Sequence, residues 1–477
     1  MLFATYTYAV FLAVVLPLYA LLPLRGRQIM LLVASYVFYC WETPVYGILI
    51  FASTFLDYLV GLGLARTENP RGRKALMGCS LVGNLGMLGF FKYGDFLGAN
   101  LVGLGHLLGF EGHWAPMGFI LPVGISFYTF QTLSYSIDVY KRQLPAERDL
   151  WTFALYVCYF PQLVAGPIER APHLLPQLCV KHPLLLENLV AGLKRILTGL
   201  FLKLVVADRL GILVDSVFAA PGNHSALATW LALVAFAGQI YFDFASYASI
   251  AIGSARLFGV HLRENFHRPL VSASIADFWN RWHMTLTRWF HDYVFLPLGG
   301  FRKGGTRAAL NAAVVLVLCG LWHGARWNFV FWGAYHAVLL TVYYAWKFYQ
   351  KRHRRRARAP KKGFTLGIGI SVAATFVCNI VGLIFFRSPD MATIGKIFRG
   401  CVGLHDGAVA PLNWTLGGFG LIMFLWLAIE GWQEYGNLNE KWARLPWPVR
   451  AAAWGLLVAA TYLGAVSQQA PYIYFQF

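Results

Sequence analysis

Apolar residues run in long blocks along this chain, broken by short basic connectors. The clearest blocks are Tyr6–Leu24, Phe364–Phe386, Gly417–Ile429 and Ala451–Leu463. A helix needs about 20 mainly apolar residues to cross the hydrocarbon core of a bilayer. The longer blocks therefore predict transmembrane helices. Further spans are expected at about Ile29–Trp41, Val45–Ala65, Leu412–Ile429 and Val449–Leu463. The first block lacks a basic leader and a small-residue cleavage motif, so it reads as a retained helix rather than a signal peptide.

The middle of the chain departs from this pattern. Residues Ser272–Gly300 are too polar to cross lipid and too aromatic for an ordinary solvent loop, and the apolar segment after them, Ala308–Leu321, is short. Polar or irregular backbone at membrane depth is tolerated only where protein buries it or where it lines a cavity. The two segments together predict a re-entrant cavity, with residues 272–337 as the catalytic region.

Composition agrees with a membrane setting. Of the 477 residues 58% are hydrophobic and 13% are charged, about half of the roughly 25% that a soluble domain carries. With no soluble domain, low-complexity linker or repeat, the chain reads as one integral-membrane domain over 1–477. The formal charge of +19 would suggest nucleic acid in a soluble protein. Here Lys and Arg gather in the connectors Arg25–Arg27, Arg66–Lys74, Lys141–Arg148 and Lys351–Lys362, the last reading KRHRRRARAPKK. That last run has no interleaved aromatics, so its expected partner is the lipid bilayer and its anionic headgroups, not nucleic acid. Retention of basic loops in the cytoplasm places both termini outside. The seven cysteines are scattered without a C-x-x-C pair or zinc-finger spacing, so they read as small hydrophobes and no metal site is expected.

Two segments pair His with Trp in apolar surroundings: DFWNRWHMTLTRWFHDYVFLPLGG at Asp277–Gly300 and GLWHGARWNFVFWGAYHA at Gly320–Ala337. Ionisable residues within a membrane are costly and are functional candidates for that reason. His323 follows Trp322 at the end of a nearly uncharged helix, with Gly320 and Gly324 expected to let a ligand approach the backbone. A neutral imidazole can take a proton from an attacking hydroxyl near neutral pH, which acyl transfer to an alcohol requires. A hydrogen-bonded structural His between helices suits the same position equally well. His283 shares its segment with Asp277, Arg281, Arg288 and Asp292. In one continuous helix, Trp279, Trp282 and His283 would lie on one side. An interfacial segment with aromatic and basic anchors is the alternative. His291 and His336 read as packing or supporting residues. Asp243, in YFDFASYASIAIG, calls for an intramembrane Arg or His partner. Asp57, Lys92, Asp95 and Asp138 lie nearer expected span ends, where snorkelling suffices. The chain has no G-x-S-x-G elbow, Walker loop, dinucleotide fingerprint or H-E-x-x-H helix.

These segments, in this order, resemble the membrane-bound O-acyltransferase superfamily, in particular its bacterial polysaccharide branch. The resemblance extends through LLVASYVFYCW at Leu31–Trp41, FFKYGDF at Phe90–Phe96 and LPVGISFYTFQTLSYSIDVY at Leu121–Tyr140. It continues with FPQLVAGPIER at Phe160–Arg170 and the Asp243 segment. It departs where the branch's usual S-G-Y is Ala245-Ser246-Tyr247. The resemblance implies an all-α polytopic fold, with about a dozen transmembrane and re-entrant helices around a central funnel or tunnel. It implies His323 as the hallmark catalytic His and His283 as the second family position. It also implies an acetyl-CoA donor, a bacterial inner-membrane location and a separate SGNH-type acetyltransferase partner that completes transfer to an extracytoplasmic glycan. That glycan is an alginate-like exopolysaccharide or, alternatively, peptidoglycan or cellulose. A non-enzymatic transporter of an acylated carrier would explain a cavity but not the paired His.

The tail AVSQQAPYIYFQF, residues 465–477, is unusually aromatic for a terminus. One reading is an interfacial anchor. The other makes Tyr474 a transient acyl acceptor. A phenol's pKa near 10 makes its ester more reactive than an alkyl ester, and the ending resembles the F-I-Y-x-x-F tail of an accessory protein in teichoic-acid D-alanylation.

Overall fold

A computed structural model describes the chain except residues 120, 303, 354–362, 364, 405–413, 466–471 and 474–477. Among the described residues the regular elements are helices and no strand forms. Five are long and apolar enough to cross a membrane: Tyr46–Arg66, Pro70–Leu107, Ala226–Leu257, Gly305–His323 and Leu366–Arg387. The apolar segment expected to be short at Ala308–Leu321 is thus the inner part of a 19-residue helix. The residues 305–307 before it and His323 after it extend the same helix.

By contact the chain forms two compact units, Met1–Ile196 with Ala248–Arg263, and Leu197–Tyr247 with Glu264–Phe477. The first contains helices α1 (Tyr6–Leu21), α2 (Leu24–Cys40), α3 (Tyr46–Arg66), α4 (Pro70–Leu88), α5 (Ile125–Tyr140) and α6 (Leu150–Cys158). Its core includes the rings of Phe3, Tyr8, Phe11, Phe38, Phe160 and Phe258. Two residues of the basic connectors expected to mark the cytoplasmic side make contacts within the protein. Arg27 sits in the first turns of α2 and is buried. It donates to the carbonyls of Leu22 at 2.9 Å and His182 at 2.6 Å. Arg73 donates to the carbonyls of Leu64, Val139 and Tyr140. Each guanidinium group satisfies carbonyls that a helix end leaves without an intrahelical partner, Leu22 for Arg27 and Leu64, Val139 and Tyr140 for Arg73. Asp57, expected to snorkel at a span end, is instead fully buried within α3. It accepts from the Ser80 and Ser136 hydroxyls and from the Asn84 amide. Three donors make a buried carboxylate tolerable where water is absent.

The second unit begins with a π-helical stretch at Leu202–Ala207 and shares helix α7 (Ala226–Leu257) with the first. It continues with α8 (Ile275–Arg281), α9 (Met284–Phe290), α10 (Gly305–His323), α11 (Trp327–His353), α12 (Leu366–Arg387), α13 (Trp414–Tyr435) and α14 (Trp447–Gly464). Helices α10 and α11 form a hairpin whose backbones nearly touch. A Cβ on Gly320 would lie 2.1 Å from the Phe329 carbonyl oxygen, and one on Gly333 would lie 2.4 Å from the Leu316 oxygen. Small residues permit such close crossings within membranes. Gly320 and Gly324 therefore make room for α11, not for a ligand as expected, because Phe329 fills the space beside both. Helix α12 closes on α11 through Asn328, which donates to the carbonyls of Phe385 and Ser388.

Candidate active site

The polar segment Ser272–Gly300 is a series of short helical pieces. Helix α8 starts at Ser274, whose hydroxyl accepts from the Asp277 N–H. It ends after Arg281. Trp282 is extended, and His283 adopts a left-handed φ of 42°, which is uncommon for a residue other than glycine. Neighbouring backbone holds this kink. The Asn265 carbonyl accepts from Met284 N at 2.8 Å, its side chain accepts from the Thr285 hydroxyl at 2.9 Å, and His267 N donates to the Arg281 carbonyl at 2.9 Å. Trp279, Trp282 and His283 consequently do not share one helical side, as a continuous helix would require. Trp279 packs on Trp332 and His336. Trp282 packs on Phe266 and Phe278. His283 faces Trp322.

The kink brings the two principal histidines onto one indole. His283 is 3% exposed, His323 is 3% exposed and Trp322 is 1% exposed. The His283 ring meets Trp322 edge to face at 5.6 Å, and Trp322 meets His323 in the same manner at 5.0 Å. His323, the last residue of α10, also touches Trp332 at 5.4 Å and Phe386 at 5.1 Å. Trp332 continues to His336 at 4.9 Å, and His336 to Trp279 at 5.2 Å. Three imidazoles and three indoles thus form one buried chain of rings. The ring nitrogens Trp279 Nε1, Trp332 Nε1 and His336 Nδ1 are buried with no hydrogen-bond partner among the described residues. Buried polar atoms are normally partnered, so these are positions where polar atoms of a substrate could be received.

Beside the rings lies a charged network. Arg281 bonds Asp277 at 2.8 Å and Glu434 at 2.8 Å. Glu434 also takes Arg268 at 3.0 Å and His267 at 3.3 Å. Asp277 and Arg281 therefore buttress the kinked segment rather than face His323. Asp292 is not brought into this group; it pairs with its exposed neighbour His291. Asp243, 1% exposed, pairs at 2.7 Å with Lys203, not with the Arg or His expected. Tyr474 lies outside the described residues. A cavity of about 720 Å³ between α12 and α13 is lined by Val271, Phe376, Met423, Trp432 and Tyr435, among others.

Sequence reasoning missed Glu434, Arg268 and Lys203, and also Glu430, which is buried and accepts from Tyr241 at 2.7 Å. Signals for some of them were present. Lys203 is the lone charge in LFLKLVV, and Glu430 and Glu434 stand one turn apart on an apolar helix. By the rule that singled out Asp243, they merited equal attention.

The membrane-bound O-acyltransferase family model matches residues 139–381, which include all six rings of the chain. The chain is similar to the probable alginate O-acetylase AlgI of Pseudomonas putida, with 32% identity over 98% of each chain. It is similar to the peptidoglycan O-acetyltransferase of Helicobacter pylori, with 32% identity over 84% of this chain and 78% of that one. It is also similar to the teichoic acid D-alanyltransferase of Bacillus subtilis, with 28% identity over 56% and 69%. The chain is a multi-pass membrane protein and an O-acyltransferase, and it belongs to the membrane-bound O-acyltransferase family.

Proposed function

We propose that the protein is a transmembrane O-acetyltransferase of the bacterial inner membrane, with both termini extracytoplasmic. It takes an acetyl group from acetyl-CoA on the cytoplasmic side and passes it towards an exopolysaccharide through an SGNH-type partner. The observation that carries this reading is the pair of buried imidazoles, His283 and His323, both in edge-to-face contact with Trp322. An acceptor hydroxyl oxygen attacks the thioester carbonyl and His323 takes its proton. The carbon–sulfur bond then breaks, and the thiolate leaves with a proton as free CoA. His283 orients the donor or polarises its carbonyl. Burial among indoles keeps water, the competing nucleophile, away from the thioester. Tyr474 is the first acceptor in this scheme. Its phenyl ester keeps enough transfer potential to acetylate a partner serine, which restores the phenol. Similarity to alginate O-acetylases supports the exopolysaccharide. The peptidoglycan enzyme, equally identical over a shorter alignment, supports peptidoglycan as the alternative acceptor.

The test is His323→Ala in purified protein, assayed for acetyl-CoA consumption. Loss of a general base lowers turnover by about 10²–10⁴-fold, with folding intact by size-exclusion chromatography. Turnover near the parent level would remove His323 from the mechanism.

A further inference from the structure

The second unit contains a buried ionic cluster that the ring site does not use. Lys203, 2% exposed, lies in the π-helical stretch Leu202–Ala207. Its ammonium bridges Asp208 at 2.8 Å and Asp243 at 2.7 Å. One cation between two carboxylates leaves negative charge in excess, and buried charge needs further compensation. The chain's own C-terminal segment supplies it. The Ile473 N–H donates to the second oxygen of Asp243 at 2.8 Å. The Tyr472 ring lies over the Lys203 ammonium at 4.2 Å and meets Tyr247 edge to face at 4.8 Å. Tyr472 is 2% exposed and Ile473 is 5% exposed. An aromatic anchor in the headgroup region would keep its ring at the protein surface; this one is enclosed and held by a charge.

The cluster is also connected to the ring site. Asp243 lies on α7 with Tyr241 and Phe244, whose rings pack on Trp282 at 6.5 and 6.2 Å. Trp282 is the residue before the kinked His283. One helix thus grips the C-terminal segment and braces the histidine-bearing segment.

The geometry points to Lys203 and Asp243 as a receptor for the protein's own C-terminal segment, gripping Tyr472 and Ile473, with the acyl transfer proposed above depending on that grip. Both are positioning residues. The inference rests on the reading that Tyr474 carries the acetyl group, but the grip itself is measured without it.

The experiment uses the full-length protein with its native cysteines replaced and Ile473→Cys added, and follows alkylation by a maleimide. With the receptor unchanged, labelling is slow. Asp243→Asn, which keeps the shape and removes the charge, and Lys203→Met each speed it by about tenfold, the worth of one charge-assisted hydrogen bond. Ile473→Pro, which removes the N–H that Asp243 accepts, supplies the activity arm if the buried variants fold poorly. It lowers transfer to the acceptor about tenfold and leaves the KM for acetyl-CoA unchanged. Rapid labelling with the receptor intact, or labelling insensitive to both receptor substitutions, overturns the proposal. Tyr474→Phe separates the two readings. If it leaves both transfer and labelling at parent levels while Asp243→Asn speeds labelling, the receptor stands and Tyr474 is not the carrier.

Discussion

Gly320→Ala is a small substitution with a calculable consequence. The new methyl carbon would sit 2.1 Å from the Phe329 carbonyl oxygen, where ordinary contact begins near 3.4 Å. That oxygen belongs to helix backbone and cannot swing aside, so α10 and α11 must part by about 1 Å. The parting acts on the ring chain directly, because Trp322 and His323 lie within one turn of Gly320 and Trp332 within one turn of Phe329. A misplacement of about 1 Å at reacting groups costs on the order of 100-fold in rate, and overpacking costs about 1–3 kcal/mol in stability. Acetyl-CoA turnover and the thermal midpoint, both measured in detergent, report the two effects. Gly420→Ala is the control, since nothing lies within 4 Å of a Cβ there. Gly324→Ala should fall between the two, because its 2.3 Å clash is with the Phe329 ring, which can rotate. If Gly320→Ala retains turnover within roughly twofold of the parent, or loses no more than Gly420→Ala, the spacing of α10 and α11 does not govern the chemistry.

Two further outcomes follow from the charged groups. Glu434→Gln removes the carboxylate shared by Arg268, Arg281 and His267 and should destabilise the second unit by up to about 3 kcal/mol, the cost of breaking a buried pair from one side. Asp277→Asn, whose side chain is 29% exposed against 17% for Glu434, should cost less; the reverse order in thermal midpoint would contradict the assignment of Glu434 as the hub. In the first unit, the hydrogen bond from Arg25 holds the carboxyl of Asp149 down at about 2. A depressed carboxyl contributes stability above its unfolded pKa of about 3.9. The midpoint difference between parent and Asp149→Asn should therefore be constant above about pH 5 and shrink as pH falls towards 2. The pair is solvent-exposed, so the difference should be small throughout; a difference that grows with acidification would show the opposite linkage.

The places of the candidate residues along the chain were legible. His323 at the end of an apolar helix, His283 in a polar aromatic segment and the membrane character of the chain follow from residue type and hydropathy alone. What was not legible depends on residues far apart in the chain. Nothing in Trp282-His283 signals a break, since neither residue is Gly or Pro; the left-handed turn is held by hydrogen bonds that Asn265 accepts from Met284 and Thr285. The partner of Arg281 is Glu434, more than a hundred residues away, and no periodicity connects them. Gly320 was read as a site of ligand approach because a glycine's empty side is visible in sequence but its occupant is not. Arg27 and Arg73 show the same limit: their charge marked them as connector residues, while the carbonyls they bind become apparent only once the chain is folded.

The arrangement suits the chemistry that the family performs. A base inside a membrane must stay neutral to accept a proton, and water must be kept from the thioester. Indole walls serve both needs, because they present edges and faces to the imidazoles without adding charge. The fixed charges lie one layer out, in Asp277, Arg281 and Glu434, where they hold the kinked segment without pairing with His323. Aromatic rings therefore pack on the two candidate histidines, and ion pairs brace the segment behind them.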